Sequence, residues 1–304
     1  FNGIFSFALW DSKQRRLFIA RDHLGVKPMY YHADASVLLF GSEVKALLAH
    51  ASCTRDVDTQ SLGDLFTFRY VPSPRTLFKG VQKLPPAHYM VVDSAGLRIQ
   101  RYWHWVPEHR VGAVESDLIE EYRHLVSEAV RYQLRSDVPV GLFLSSGVDS
   151  ASLLALMREH NSGALHTFTI GFQDGERSNE TDDARDLARQ FGTDHEEMIV
   201  TAEDYENYFE RYMWDLEEPV GNESAAAFYF VSMLARRKVK VVLTGQGGDE
   251  PWAGCHRHLG VKLSEFYRRS PRPLTHGLLK PAVMALPRNA RLKRGVMALD
   301  EPDA

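Results

Sequence analysis

The chain has 304 residues, 44% of them hydrophobic and 25% charged, with a formal net charge of -4. That is average globular usage over more than one typical domain length: it argues against disorder and fibrous classes, gives no basic footprint for a nucleic-acid backbone, and suggests two domains. Cys53 and Cys255 are too few for a disulfide framework, and no apolar run approaches the roughly 18 residues of a membrane span, so a cytoplasmic protein without membrane association is expected.

The chain begins at Phe1 rather than Met and runs straight into the strand-like FNGIFSFALWD, so the natural N-terminus is expected upstream and the chain is read as truncated. From Phe5 to Tyr31 apolar residues alternate with polar ones around Asp11-Ser12-Lys13-Gln14, which predicts a hairpin. A second strand pair is expected over Pro28 to Tyr31 and Val37 to Phe40, followed by a short helix from Ser42 to Ala49. Pro72, Pro74, Pro85 and Pro86 break up the segment that ends in Tyr102-Trp103-His104-Trp105, and the first hundred residues read as mostly β. The polar stretch near 106 to 116 is the expected domain boundary.

Beyond it the period changes. Leu118 to Leu134 reads as a helix and Val138 to Leu144 as a fully buried strand. Asp149 to His160 (helix), His166 to Phe172 (strand), Thr181 to Phe191 (helix) and His195 to Val200 (strand) continue the alternation. Helices over Glu203 to Trp214 and Ser224 to Lys238 then precede a strand from Val239 to Thr244. Such alternation predicts a doubly wound α/β domain with a parallel sheet. From Ser270 onward only a short helical pattern near Leu278 to Leu286 is legible.

Two loops carry the chemistry. LSSGVDS, Leu144 to Ser150, follows a buried strand and opens a helix. Its small residues let the backbone turn tightly, and the free N–H groups of a helix start point at an anion, so the segment suits a pyrophosphate. Asp149 adds an oxygen ligand suited to magnesium. There is no Lys for the GxxxxGK[ST] pattern and no GxGxxG; the plain alternative is a glycine turn with an N-cap Asp. The second loop, TGQGGDE, Thr244 to Glu250, also follows a predicted buried strand. Ligands of open α/β sheets bind at strand C-termini, so Asp149 and Asp249 could face one crevice. Its plain alternative is a surface turn.

S-S-G-V-D-S resembles the SGGxDS signature of the PP-loop ATP pyrophosphatases, which cleave ATP between the α- and β-phosphates. Together the two loops resemble the synthetase domain of glutamine-hydrolysing asparagine synthetases, in which the second loop reads SG(E/D)G(S/G)DE. The strand HTFTIGF, and FNGIFSFALWD, RDHLGVKPMYY and GSEVKALL in the front half, are similar to that family too. The resemblance implies a partial N-terminal-nucleophile hydrolase domain, 1–106, followed by a C-terminally truncated PP-loop domain, 107–304.

The implied activity is a ligase: ATP-dependent asparagine synthesis from aspartate with ammonia from glutamine, through β-aspartyl-AMP, releasing AMP and pyrophosphate. ATP and Mg2+ are the implied cofactors, aspartate and glutamine the small-molecule partners, and a homodimer is compatible with this. The implied nucleotide contacts are Leu144, Ser145, Ser146, Gly147, Asp149, Ser150, Ile170, Thr244, Gly245 and Gly247; the implied metal ligands are Asp149 and Asp249. Glu218, Glu223 and Ser224 are implied on the aspartate side, with a helix start capped by Ser224 as the plain alternative. Gln246 stands where the family has an acidic residue; an amide cannot accept a proton there but can position ammonia. Ser146 replaces the middle glycine, which requires a negative φ.

The family's nucleophilic cysteine would precede Phe1, and a phosphate-contacting lysine would lie past Ala304. The 304 residues alone are therefore expected to lack both activities. Arg21-Asp22-His23 is read as a charged turn bracing the fold. Two alternatives stay open: a related amidotransferase or β-lactam-synthetase-like enzyme adenylating another carboxylate, and a non-catalytic nucleotide-binding fragment.

Overall fold

The structure, a computed structural model, describes residues 1–107, 110–173, 181–221, 224–252, 254, 256–287, 293, 296 and 299. Contacts divide the chain into two interleaved compact units. The first comprises 1–128, 170–180 and 196–237, and the second 129–169, 181–195 and 238–304.

In the first unit, β1 (Ser6–Asp11) and β2 (Arg16–Arg21) form the expected hairpin, with Phe7 opposite Ala20 and Trp10 opposite Leu17. The expected second pair is β3 (Tyr30–Ala33) with β4 (Leu38–Gly41), followed by the short helix α1 (Val44–Leu48). Four elements then appear where only a proline-broken β segment is expected: α2 (Thr59–Phe68), the short β5 (Gln82–Lys83), and β6 (His88–Asp93) and β7 (Gly96–Arg101), which form a hairpin. The antiparallel sheets run β1-β2-β6-β7 and β4-β3-β5. Alternation puts Ile19, Met29, Tyr31, Leu84 and Met90 into one core.

The chain continues through α3 (Glu115–Gln133), β8 (Val140–Phe143), α4 (Val148–His160), β9 (His166–Phe172), α5 (Thr181–Phe191) and β10 (Asp194–Val200). It then passes through α6 (Ala202–Leu216), α7 (Ser224–Ala235) and β11 (Val241–Leu243). Each matches its predicted element to within a few residues. Past the second loop come α8 (His256–Arg269), not legible in the sequence, a π-helical stretch at Pro273–Leu279 and α9 (Lys280–Ala285).

The remaining sheet has the order β10-β9-β8-β11, and β8 pairs in parallel with both β9 and β11. In the second unit β8 contributes Leu142 to a core with Leu154, Met157, Leu165, Ala184 and Ala188, against which Leu187 and Phe191 pack. Gly141 is the close approach that permits this pairing: a Cβ there would lie 2.8 Å from the Phe168 ring. A β-rich domain followed by a parallel-sheet α/β domain is the fold class expected from the alternation.

Candidate functional site

The strand order places a site before any side chain is considered. From β8 the chain crosses outward to β9 and β10, and then returns to add β11 on the other side of β8. The strand order therefore reverses between β8 and β11, and ligands of open α/β sheets bind at the loops leaving the C-terminal ends of the strands at such a switch point. Those loops are 144–150 and 244–250, the two singled out by sequence.

The first loop is held by its own serines. The Ser145 N–H donates to Ser150 Oγ at 3.1 Å, the two hydroxyl oxygens lie 2.9 Å apart, and Ser150 Oγ also reaches the carbonyls of Ser145 and Gly147 at 3.0 Å. The Gly147 N–H donates to Ser145 Oγ at 3.2 Å. Ser150 is buried at 4% exposure, so its hydroxyl shapes the turn from beneath. Leu144 is pinned from both sides, its N–H on the Phe168 carbonyl and its carbonyl accepting from Thr169 Oγ1 at 2.6 Å. Gly147 is the N-cap of α4, extended at φ -70° and ψ 149°, with no side-chain cap; the first bond back into the helix is Ala151 N–H to Gly147 O. The N–H groups that open α4 are thus presented at the end of β8, where an anion binds most favourably.

The second loop is folded against that helix start. A Cβ on Gly245 would lie 3.0 Å from Asp149 Cβ and 3.2 Å from Ser150 N, and one on Gly248 would lie 2.7 Å from Asp149 Cγ and Oδ2. Asp149 is exposed, and only the absence of side chains at Gly245 and Gly248 leaves room for its carboxylate. Gly248 is the residue that sequence reasoning missed; it sits inside TGQGGDE, but its role depends on a contact nearly 100 positions away. Gly247 adopts φ +97°, and the Gln246 N–H donates to Thr244 Oγ1 at 3.0 Å. Asp249 is exposed, with its carboxylate folded towards Gly254.

Of the expected site residues, Leu144, Ser145, Ser146, Gly147, Asp149, Ser150, Thr244, Gly245, Gln246, Gly247 and Asp249 thus fall on these two loops. Ile170 belongs to the other unit, where its side chain packs on the Val200, Tyr208, Ala226 and Phe230 core. Glu218 is 8% exposed and its carboxylate is spent within the first unit: it accepts the Leu77 N–H and pairs with Lys83 Nζ at 2.8 Å. Ser224 is the exposed first residue of α7, and Glu223 lies outside the described residues.

Among the described residues no three His, Cys, Asp or Glu side chains gather as a metal cluster. Magnesium asks for less than that, since it keeps several waters and binds through one or two carboxylates together with substrate phosphates. An exposed carboxylate in the first turn of α4, with Asp249 on the neighbouring loop as a second candidate, suits that chemistry.

The Arg21-Asp22-His23 turn braces the fold. The Arg21 guanidinium donates to the carbonyls of Lys27, Leu84 and Gly25, and Asp22 accepts the backbone N–H groups of Leu24, Val26 and Lys27. The His23 ring packs edge-on to those of Phe5, Tyr102 and Trp103. No helix among the described residues is long and apolar enough to cross a membrane.

Comparison with known proteins agrees with both halves. Residues 121–301 match the family model described as asparagine synthase, and residues 1–103 match that of a glutamine amidotransferase domain. A relative from Methanocaldococcus jannaschii, whose name places it among the glutamine-hydrolyzing asparagine synthetases, is 36% identical over 276 residues, covering 90% of this chain and 53% of its own length. Asparagine synthetase [glutamine-hydrolyzing] 3 of Bacillus subtilis is 33% identical over 267 residues, covering 83% of this chain and 43% of its own length. Amidase chyE of Penicillium rubens is 30% identical over 285 residues, covering 86% of this chain and 41% of its own. The chain spans about half the length of the curated relatives it matches.

Proposed function

The chain belongs to the asparagine synthase family, and from that premise we propose that the full-length protein activates the side-chain carboxylate of aspartate with ATP and passes it ammonia drawn from glutamine. The observation that supports this reading is the packing of Asp149 against Gly245 and Gly248, which brings the loops 144–150 and 244–250 together.

The reaction begins when a carboxylate oxygen of aspartate attacks the α-phosphorus of ATP. The bond to the β-phosphate bridging oxygen breaks, pyrophosphate leaves, and an acyl-adenylate remains. Ammonia then adds to the acyl carbon, loses a proton and expels AMP. In this scheme the chain's work is electrostatic and positional. The N–H groups opening α4 receive the departing pyrophosphate charge, already oriented because Ser145 and Ser150 lock the turn, and preorganised donors of this kind are usually the largest catalytic contribution. Bound magnesium would neutralise phosphate charge, held by Asp149 and Asp249. Leu144, Thr244 and Gly245 line the strand ends where adenosine would lie, with Ile170 proposed as a further backbone contact. Ser224, with Glu223, is proposed to face the acid, whereas the contacts of Glu218 favour a different role. Gln246 can hold ammonia by hydrogen bonds, but as an amide it takes no proton at neutral pH, so that proton must leave to another acceptor. The boundary near 106–116 is proposed to separate the glutaminase segment from the synthetase segment, in a cytoplasmic protein compatible with a homodimer.

The test is aspartate-dependent exchange of labelled pyrophosphate into ATP by the full-length protein. Exchange stimulated by aspartate is expected, and its loss in Asp149→Ala. Exchange that is absent, or indifferent to aspartate, overturns the assignment.

A second reading keeps the adenylation and changes the acid. It is favoured by Gln246 and by the similarity to a relative named as an amidase rather than a synthetase. Pyrophosphate release across a panel of carboxylic acids separates the two: a preference for an acid other than aspartate selects the second.

A further inference from the structure

Thr169 stands on β9, the strand next to β8, and the chemistry above leaves its hydroxyl unused. The residue is 3% exposed, and the hydroxyl donates to the Leu144 carbonyl at 2.6 Å. The register of β8 with β9 ends at Phe143 opposite Phe168. The Leu144 N–H still follows that ladder, onto the Phe168 carbonyl at 2.9 Å, but the Leu144 carbonyl is taken by a side chain. This carbonyl belongs to the same peptide unit as the Ser145 N–H, which donates to Ser150 Oγ at 3.1 Å. A peptide unit is planar, so a bond at each end fixes its orientation. The plane that opens the loop is therefore clamped between two hydroxyls, one from each side.

The two clamps differ in origin. Ser150 lies in the first turn of α4 and belongs to the helix start that it helps to aim. Thr169 belongs to the sheet, and as a β-branched residue it has few χ1 states, so its hydroxyl inherits its position from the strand. Thr167, two positions earlier on the same face of β9, is also fully buried, but its hydroxyl lies 2.8 Å from Thr193 Oγ1 and 2.9 Å from His195 Nδ1. One buried threonine thus ties β9 to the start of β10, and the other ties it to the loop. Without the Thr169 hydroxyl the Leu144 carbonyl loses that partner, and the plane can turn about ψ of Leu144 and φ of Ser145 towards another.

We propose that Thr169 is a positioning residue for the pyrophosphate end of the nucleotide, holding the first peptide plane of the loop so that the N–H groups opening α4 stay aimed. This rests on the functional reading above, in which those groups receive pyrophosphate. Thr169 touches no reacting atom. Its effect falls on the phosphates rather than on adenosine, because the Leu144 N–H keeps its own bond to β9 when the hydroxyl is removed.

The experiment uses the full-length protein and compares binding of magnesium pyrophosphate with binding of AMP, by titration calorimetry, in the parent, Thr169→Val, Thr169→Ser and Thr167→Val. In Thr169→Val the Kd for pyrophosphate is expected to rise roughly tenfold, the scale of one lost hydrogen bond, with that for AMP within about twofold of the parent. Thr169→Ser keeps the hydroxyl and should recover most of the pyrophosphate affinity. Thr167→Val loses a buried hydroxyl from the same strand face, and should lower the melting temperature while both ligands stay within about twofold. Thr169→Ala carries the same comparison should the valine variant misfold. Pyrophosphate affinity that is unchanged, that falls in step with AMP, that falls equally in Thr167→Val, or that serine does not recover overturns the role of Thr169. A parent that binds AMP but no pyrophosphate overturns it too. Absence of aspartate-dependent exchange in the parent overturns the choice of acid substrate instead, and leaves the pyrophosphate comparison, which needs no acid, to decide Thr169.

Discussion

The Asp22 carboxylate is 2% exposed and accepts N–H groups from Leu24 at 3.2 Å and from Val26 and Lys27 at 2.9 Å. Burial pushes its pKa up, but the backbone donors together outweigh burial and hold it below the ordinary carboxylate value. A depressed folded-state pKa contributes stability that is fully present above the unfolded value, near 3.9, and is lost as pH falls through the folded value. Asp22→Asn should therefore lower stability at neutral pH, and the loss should shrink progressively below about pH 4, as urea melts at pH 7, 4 and 3 would reveal. A constant difference across that range would mean that Asp22 acts by shape alone.

Asp149 is the opposite case, an exposed carboxylate left free to act, and its position is controlled by a neighbour with no side chain. In Gly248→Ala the new methyl would meet the tip of a rotatable, exposed side chain, so Asp149 turns aside at little cost to the fold. Pyrophosphate exchange is expected to fall at least tenfold with the melting temperature within a degree or two. Gly247→Ala makes the contrast: nothing crowds that site, but φ +97° strains any alanine, so stability falls by about 1 kcal/mol. The sequence exposed Asp149, Asp249 and the loop spacing because those residue types are rare in that pattern. It could not expose the close packing of Gly248 on Asp149, which is steric and arises from a contact between loops far apart in sequence.

At the scale of elements, legibility followed burial. β8 is a short apolar run, β9 alternates Phe168, Ile170 and Phe172 with smaller or polar residues, and α5 carries Ala184, Leu187, Ala188 and Phe191 on one side, so period alone located them. α2 hid because its apolar residues do not form a buried stripe: Phe66 and Phe68 are exposed, and Gly63 sits mid-helix. Its start was nevertheless written in Asp58, whose side chain accepts the Ser61 N–H at 2.7 Å. The β6–β7 hairpin was masked by Pro85 and Pro86 just before it, although HYMVVDSAGLRIQR alternates and turns through Ser94-Ala95 into Gly96 at φ +106°. Asp58→Ala should destabilise α2 by about 1 kcal/mol. Because the unit is anchored elsewhere, hydrogen exchange should accelerate about fivefold at amides of the first two turns of α2, with those of β6 unchanged. Uniform acceleration through both would show that α2 melts only with the whole unit.

The division of the whole molecule is where local reading of sequence reaches its limit. Composition and period change near 106–116, and the family matches end and resume around that stretch, yet compact unit 1 gathers 1–128 together with 196–237. The reason is physical: the contacts that tie α1 and Leu77 to Glu217 and Glu218 span 173 and 141 positions, and no pattern of period 2 or 3.6 registers them. A consequence for folding follows. Residues 1–106 expressed alone would leave the opening N–H groups of α1 uncapped, Lys83 without its carboxylate and the Leu77 N–H unpaired, each a loss charged to a segment whose sheets are small. That segment is expected to show collapsed amide dispersion and rapid proteolysis between Ser42 and Lys83. Supplying residues 196–237 in trans should restore protection there, and Glu217→Ala together with Glu218→Ala in that second piece should abolish the rescue. Full dispersion from 1–106 alone would mean that the front half folds without its partner residues and that the long-range contacts are added after the fold is complete.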